Sequence, residues 1–260
     1  MYPENTLDRA IERDRIDIYG ADAKLYDAFF SSDTAERNKE YSARRNVPED
    51  SEVLDLACGT GSIISRLEED YDIIGADISK QMLEIASENT DSELVQADMT
   101  DLPFENEFEA VLMYGHPISH LEGYENVQRT FEPVYHALGD DGILVMDFLT
   151  DNIGKVSLET REQQVGAYQV KISPEFQNYN PATHSADYIM RFQIENDGSV
   201  QEIEHQSAVQ GFSSEELKYL LEEAGFDSIK EQRVFDSEIQ KGLRAEKGEP
   251  EDGEVLGFGL

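Results

Sequence analysis

The chain has 260 residues, 39% of them hydrophobic and gathered into runs, enough for one α/β domain with an insertion or two small domains and too many for a disordered chain. Its 56 acidic residues stand against 21 lysines and arginines, a formal net charge of −35, which leaves no generic basic surface for nucleic acid. Acids run from Glu4 to Glu254 without a dominant block, which favours a carboxylate-rich surface suited to a salt-rich cytoplasm over an acidic tail or a single docking patch. Cys58, the only cysteine, excludes an intrachain disulfide; no apolar signal region or bilayer-length run is visible, so the expectation is a soluble, cytoplasmic chain with no membrane partner.

In chain order, residues 5–46 read as helical, with Ile18, Tyr19, Leu25, Tyr26, Phe29 and Phe30 near helical spacing and Pro48 ending the region. Val53-Leu54-Asp55-Leu56 is a buried strand that enters a glycine turn, and residues 62–70 have helical spacing. A second strand runs from Asp72 to Asp77. Ser79 is placed to cap a helix through Asn89 that turns Met82 inward. Residues 93–98, 109–114 and 142–148 read as further strands, with a helix over 123–138 before the last of them. Strand and helix alternate, which predicts a parallel sheet with helices on both faces.

Beyond Leu149 the period changes to two, as in Tyr188-Ile189-Met190-Arg191-Phe192-Gln193-Ile194, and Asn196-Asp197-Gly198-Ser199 is a hairpin signal. These features predict an inserted antiparallel sheet. Ser213 and Glu216 form a capping box for a helix ended by Gly225. Residues 229–235 and 254–260 read as the last two strands, with an acidic Gly-Glu-Pro-Glu-Asp-Gly-Glu loop before the second.

Strand, glycine turn and helix bring backbone close to a ligand at the carboxyl end of a parallel sheet. Asp77 ends the next strand, placed for the two hydroxyls of a ribose, and Asp98 with Met99 ends the one after, placed for the edge and face of a purine. The segment 53–61 (VLDLACGTG), Gly75-Ala76-Asp77-Ile78-Ser79 with Met82-Leu83, and Gln96-Ala97-Asp98-Met99 with Leu102-Pro103-Phe104 together resemble, in sequence and in spacing, the first three motifs of class I S-adenosylmethionine-dependent methyltransferases of small-molecule type. A nicotinamide fingerprint would need a third glycine where Ile64 stands.

The resemblance implies a Rossmann-like, seven-stranded, mostly parallel α/β sheet with helices on both faces and an inserted antiparallel β cap. It implies a helical lid at 1–46, a cofactor domain at 47–150 and 211–260, and an acceptor cap at 151–210. S-adenosylmethionine is the implied cofactor. Asp55 would organise the glycine loop, Ala57 and Cys58 would offer backbone, and Gly59 and Gly61 would pack on the methionine and ribose. Asp77 would bind the ribose, Ile78 and Met82 would sandwich the adenine, Asp98 and Met99 would read its edge, and Tyr114 would face the methyl. Tyr19 and Tyr26 would close over the methionine end. Cys58 reads as a small residue in a tight turn and not as a nucleophile.

The acceptor side is less specific. Tyr114-Gly115-His116-Pro117-Ile118-Ser119-His120 follows the fourth strand and holds two of the five histidines, so His116 and Tyr114 are the catalytic candidates, with His116, His120, Arg191 and His205 as acceptor-binding candidates. A structural role stands beside each. Glu204 and Gly211-Phe212-Ser213 resemble the end of an inserted sheet in methyltransferases related to the glycine and sarcosine N-methylating group. Tyr168, Phe176, Tyr179, Tyr188 and Phe192 either wall a pocket or form the insertion's own core. The Asn/Asp-Pro-Pro-Tyr-type motif of nucleic-acid amino methylases is absent. The expectation is methyl transfer to a small organic acceptor at N, O or C by a monomer or homodimer that needs no metal; the alternative is a cofactor-binding protein without catalysis.

Overall fold

The computed structural model describes residues 3–13, 16–30, 33–232, 234 and 240–248. Its sheet follows the alternation read from the sequence. Strands β1 (Glu52–Leu56), β2 (Asp72–Asp77), β3 (Leu94–Gln96), β4 (Phe108–Met113) and β5 (Leu138–Leu149) pair in parallel. Later in the chain, β10 (Phe226–Gln232) and β11 (Gln240–Lys247) complete seven strands in the order β10-β11-β5-β4-β1-β2-β3, with β11 antiparallel to both its neighbours. The order reverses beside β1, so the carboxyl ends of β1 and β4 open a crevice there.

Helices α4 (Ile64–Leu67), α5 (Lys80–Asn89), α6 (Tyr124–Ala137) and α7 (Ser214–Glu223) cover the faces. The Ser79 hydroxyl accepts from the Met82 N–H at 3.2 Å, and Ser213 and Glu216 complete their capping box. Two apolar cores result. One holds Leu54, Phe131, Met146 and Phe212; the other holds Val53, Ile64, Leu112 and Val145.

The inserted sheet is four antiparallel strands, β6 (Arg161–Val165), β7 (Tyr168–Asn180), β8 (Ser185–Asn196) and β9 (Ser199–Gln210). The β8–β9 hairpin turns at Asp197 (φ 48°) and Gly198 (φ 78°), both left-handed as a tight primed turn requires. The amino-terminal region is not one long helix. It divides into α1 (Pro3–Arg13), a 3-10 turn at Ala23–Leu25, α2 (Tyr26–Phe30) and α3 (Asp33–Asn46). Leu7, Ile16, Ile18, Leu25 and Phe29 pack against Val170, Met190, Phe192, Ile194 and Ile203, so lid and inserted sheet share a hydrophobic core of their own. Phe192 belongs to that core, with its ring 5.0 Å from Phe29, and Phe176 and Tyr188 pack at 5.3 Å from one another.

Two expectations change. The helix at 62–70 shortens to α4, because Gly61 and the turn that follows take up its start. The strand that closes the sheet is β11 at 240–247, not 254–260, which lies outside the described residues together with most of the acidic loop. The polar-apolar alternation of 240–247 is short and interrupted by Gly242, whose Cβ would meet Val234 at 2.5 Å.

Candidate active site

Asp55 and Asp77 end adjacent strands, and the glycine loop lies between them. Ala57 (φ 61°) and Gly59 (φ 56°) are both left-handed. The carboxylate of Asp77 fastens the loop: Oδ2 accepts the Gly59 N–H at 2.9 Å and Oδ1 the Ser79 N–H at 2.8 Å. Burial pushes its pKa up against those two hydrogen bonds. A side chain at Gly59 would project into open space, whereas one at Gly61 would meet Ala86 of α5 at 3.2 Å. Gly59 therefore faces the ligand side, and Gly61 allows the loop to dock on α5 and not on a ligand as expected. Cys58 is buried in the core, its N–H donating to Ala76 O at 3.1 Å and its thiol pushed up by burial. It has no thiolate character.

Beside the loop is a cleft of about 450 Å³ lined by Leu56, Ala57, Asp77, Ile78, Asp98 and Met99, with Pro117, His120 and Arg129 on the far wall. Ile78 is 63% exposed there, an apolar side chain waiting for a flat ring. Asp98 Oδ1 accepts both the N–H and the hydroxyl of Thr100, at 2.9 and 2.8 Å, which holds the carboxylate below its usual range. Met82 is buried under α5 and does not line the cleft, because the Ser79 cap turns it inward; Met99 is the sulfur side chain that reaches it. Tyr114 is packed in the core with Val53 and Ile63, so its ring is not on the cleft wall either.

The lid is tied to this loop. The Ser79 hydroxyl donates to Tyr19 O at 2.7 Å, and the Thr60 hydroxyl donates to Asp27 at 2.5 Å. Tyr19 is the hub of a ring cluster beside the cleft. Its ring lies 6.0 Å from Tyr26, 5.5 Å from His120 and 5.6 Å from His205. His116 stacks on His120 at 5.7 Å, and its Nδ1 is 3.1 Å from Gln240 Nε2. His205 Nδ1 lies 3.3 Å from Ile16 O. Burial lowers His116 to about 3 and His120 to about 4, each helped by a neighbouring imidazole, so both rings are neutral at pH 7.

Arg191 does not join them. It pairs across the sheet with Glu204, next to His205, and alternate residues of a strand point to opposite faces. Its guanidinium meets Glu175 and Glu204 on the exposed face.

Three charged groups missed in the sequence complete the site. Glu36 and Lys39 of α3 pair at 3.0 Å, and Glu36 accepts from the Ser62 hydroxyl at 2.9 Å. Burial would lower Lys39, but Glu36 holds it above its usual value. Asp147, near the end of β5, is fully buried and accepts the His116 N–H at 2.8 Å. Burial raises Asp55 to about 8 and Asp147 to about 6, against the pull of Lys39 on both. One oxygen of each has no hydrogen-bond partner. An acid inside the apolar run Leu144-Val145-Met146-Asp147-Phe148 was the signal for Asp147.

Residues 53–142 match the family model described as a methyltransferase domain. The chain is 32% identical over 136 residues to the putative methyltransferase YqeM of Bacillus subtilis, covering 50% of this chain and 55% of that one. It is 30% identical over 138 residues to a dTDP-3-amino-3,6-dideoxy-alpha-D-glucopyranose N,N-dimethyltransferase of Streptomyces fradiae, covering 50% and 54%. The alignments thus span about half the length of these two relatives. The sugar N-methyltransferase KedS8 from Streptoalloteichus has the same fold, with a TM-score of 0.71 over 86% of this chain and 93% of that one at 19% identity. Residues 53–142 thus resemble a methyltransferase domain, and the fold is that of S-adenosylmethionine-dependent methyltransferases. S-adenosylmethionine is the cofactor of that class, and the open space at Gly59, the bare Ile78 and the orphaned Asp55 oxygen fit it.

Proposed function

We propose that the protein transfers a methyl group from S-adenosylmethionine to an amine of a small organic acceptor. The observation that carries this reading is the packed ring cluster of Tyr19, His120 and His205, which adjoins the cleft at His120. Relatives whose printed names state an acceptor include amino-sugar N-methyltransferases and glycine/sarcosine N-methyltransferases, which share a nitrogen acceptor.

When bound, the cofactor supplies an electrophilic methyl on a sulfonium. Asp77 would hold the ribose hydroxyls, Ile78 and Met99 the adenine, and Ala57 and Gly59 the methionine backbone. Asp55 and Glu36, with Lys39, would face the charges of the methionine end. The lid and inserted sheet exclude water and align the acceptor, and alignment is the main demand of an in-line displacement. Neutral His116 and His120 offer ring nitrogens to an acceptor without adding positive charge beside the sulfonium. Tyr114 has no direct part in this reading, and Arg191 none.

The acidic surface accords with a salt-rich cytoplasm. Among the described residues no helix is long and apolar enough to cross a membrane. Incubation with methyl-labelled S-adenosylmethionine in molar potassium chloride, against a panel of amino sugars and amino acids, tests the activity. Labelled amine and the demethylated cofactor are expected together. Cofactor binding without transfer to any member of a broad amine, hydroxyl and carbon-acid panel would instead favour a non-catalytic binding protein.

A further inference from the structure

Asp147 stands out among the buried groups that the cofactor does not account for. Its side chain is fully buried, and Oδ1 is occupied by the His116 N–H at 2.8 Å. The backbone N–H groups of Gly115 and of Asp147 itself also hold the carboxylate down, and Oδ2 is left without a well-formed hydrogen bond. A carboxylate oxygen without a donor in a dry interior is costly, and such a group is retained where a ligand supplies the missing donor. The surroundings say what kind of donor. Lys39 of α3 and Tyr26 of α2 lie within electrostatic reach from the amino-terminal helices, and Tyr114 from the residue just after β4. Glu36 and Asp55 face the same Lys39. Three acidic side chains therefore surround one ammonium, a setting that favours a cationic ligand.

His116 adds a second, independent geometric sign. It is a non-glycine residue with φ 51°, a conformation that needs support, and the carboxylate of Asp147 provides it through the His116 N–H. One oxygen of Asp147 thus fixes the loop that carries the two imidazoles. The other is left without a hydrogen-bond partner in the interior, within electrostatic reach of Tyr26 and Lys39.

We infer that the free oxygen of Asp147 receives the acceptor's ammonium and takes one proton from it, making Asp147 a catalytic residue of the acceptor site. This rests on the amine-methylating reading above. In the step, an N–H bond of the acceptor breaks, an O–H bond forms on Asp147 Oδ2, and the electron pair stays on nitrogen, which is then a nucleophile. The proton leaves to solvent after product departure. An ammonium has no lone pair, so the step is required of any acceptor bound in its charged form.

The test needs no knowledge of the acceptor. Sinefungin carries a primary ammonium where the cofactor carries its sulfonium methyl; S-adenosylhomocysteine carries nothing there. The wild type should bind sinefungin at least tenfold more tightly than S-adenosylhomocysteine by calorimetry at pH 8. Asp147→Asn keeps an oxygen for the His116 N–H, and should reduce that preference below threefold while leaving S-adenosylhomocysteine affinity within threefold. A preference unchanged by the substitution overturns the inference and leaves Asp147 a support for the His116 turn. Should the variant fail to fold, the wild type decides. Its sinefungin preference should grow in two steps with rising pH, one near 6 from Asp147 and one near 8 from Asp55. Tyr26, Tyr114 and the neutral His116 do not titrate in that range. A ratio with no step near pH 6, or near one throughout, overturns the inference. Failure of S-adenosylhomocysteine itself to bind folded wild type would instead strike the parent reading.

Discussion

The cleft is assembled from neighbours in the chain, and the ring cluster beside it from strangers. Asp77 reaches back to the Gly59 N–H and forward to the Ser79 N–H, so one side chain holds a loop, a strand end and a helix cap. In the cluster, Tyr19 meets His120 and His205, and His205 lies against Ile16 across 189 positions of sequence. The cleft is held by hydrogen bonds to backbone, and the cluster mostly by ring contacts between the amino-terminal segment, a loop and an inserted sheet. The difference teaches that binding the cofactor and positioning an acceptor are separable: substitutions in one region should leave the other's task largely intact.

Asp77→Ala gives the largest separation. It should weaken cofactor binding by about 1–3 kcal/mol, roughly 5- to 150-fold, through loss of charge-assisted hydrogen bonds. Calorimetry with S-adenosylhomocysteine reads this directly, and an unchanged affinity would dissolve the distinction between the regions. His120→Ala should lower kcat/KM about 10- to 100-fold through misplacement of the acceptor, with cofactor affinity within threefold. A matching loss of cofactor affinity would show that the two regions act as one.

pH sharpens the comparison further. Burial raises Asp55 to about 8, so the unligated protein carries a proton there at pH 6. A cationic ligand prefers the ionised form and must expel that proton. Affinity for S-adenosylmethionine should therefore rise with pH by up to about tenfold per unit below pH 8 and level off above it. The sign for the unligated fold is opposite. A carboxylate raised in the folded state contributes stability that is fully present below its unfolded pKa near 4 and lost as pH rises through about 8. His116 and His120, both lowered, oppose this below about 6.5, where the unfolded chain binds more protons. Thermal melts with and without cofactor should diverge as pH rises from 6 to 8. The smallest effect is expected of Arg191→Ala, within twofold on both tasks, because its charge is spent on the exposed face with Glu175 and Glu204.

The same division explains what could be read from the residues alone. The order of strands, the Ser79 and Ser213 caps, the Asp197-Gly198 hairpin and the placement of Ala57, Asp77, Ile78 and Asp98 all follow from local patterns, so they were legible. Gly61 and Met82 were placed in the cleft because a motif records residue types and not the direction each side chain takes: Gly61 backs onto α5, and the Ser79 cap turns Met82 inward. Arg191 and His205 looked equivalent until the β8–β9 register put Glu204 opposite Arg191 and so set the two on opposite faces. Lys39 gave no signal, and the one that Asp147 gave, an acid in an apolar run, did not say what it meets. A single lysine on a charged helix and a single acid in an apolar strand acquire meaning only when folding brings them within reach of one another.

The most direct check of the central claim is a calorimetric titration of the folded wild-type protein with S-adenosylmethionine and with S-adenosylhomocysteine at pH 8 in molar potassium chloride. Saturable one-to-one binding of both, with mutual displacement, is the expected result. A folded sample that binds neither would contradict the assignment of the cleft, and with it everything built on the ring cluster beside it.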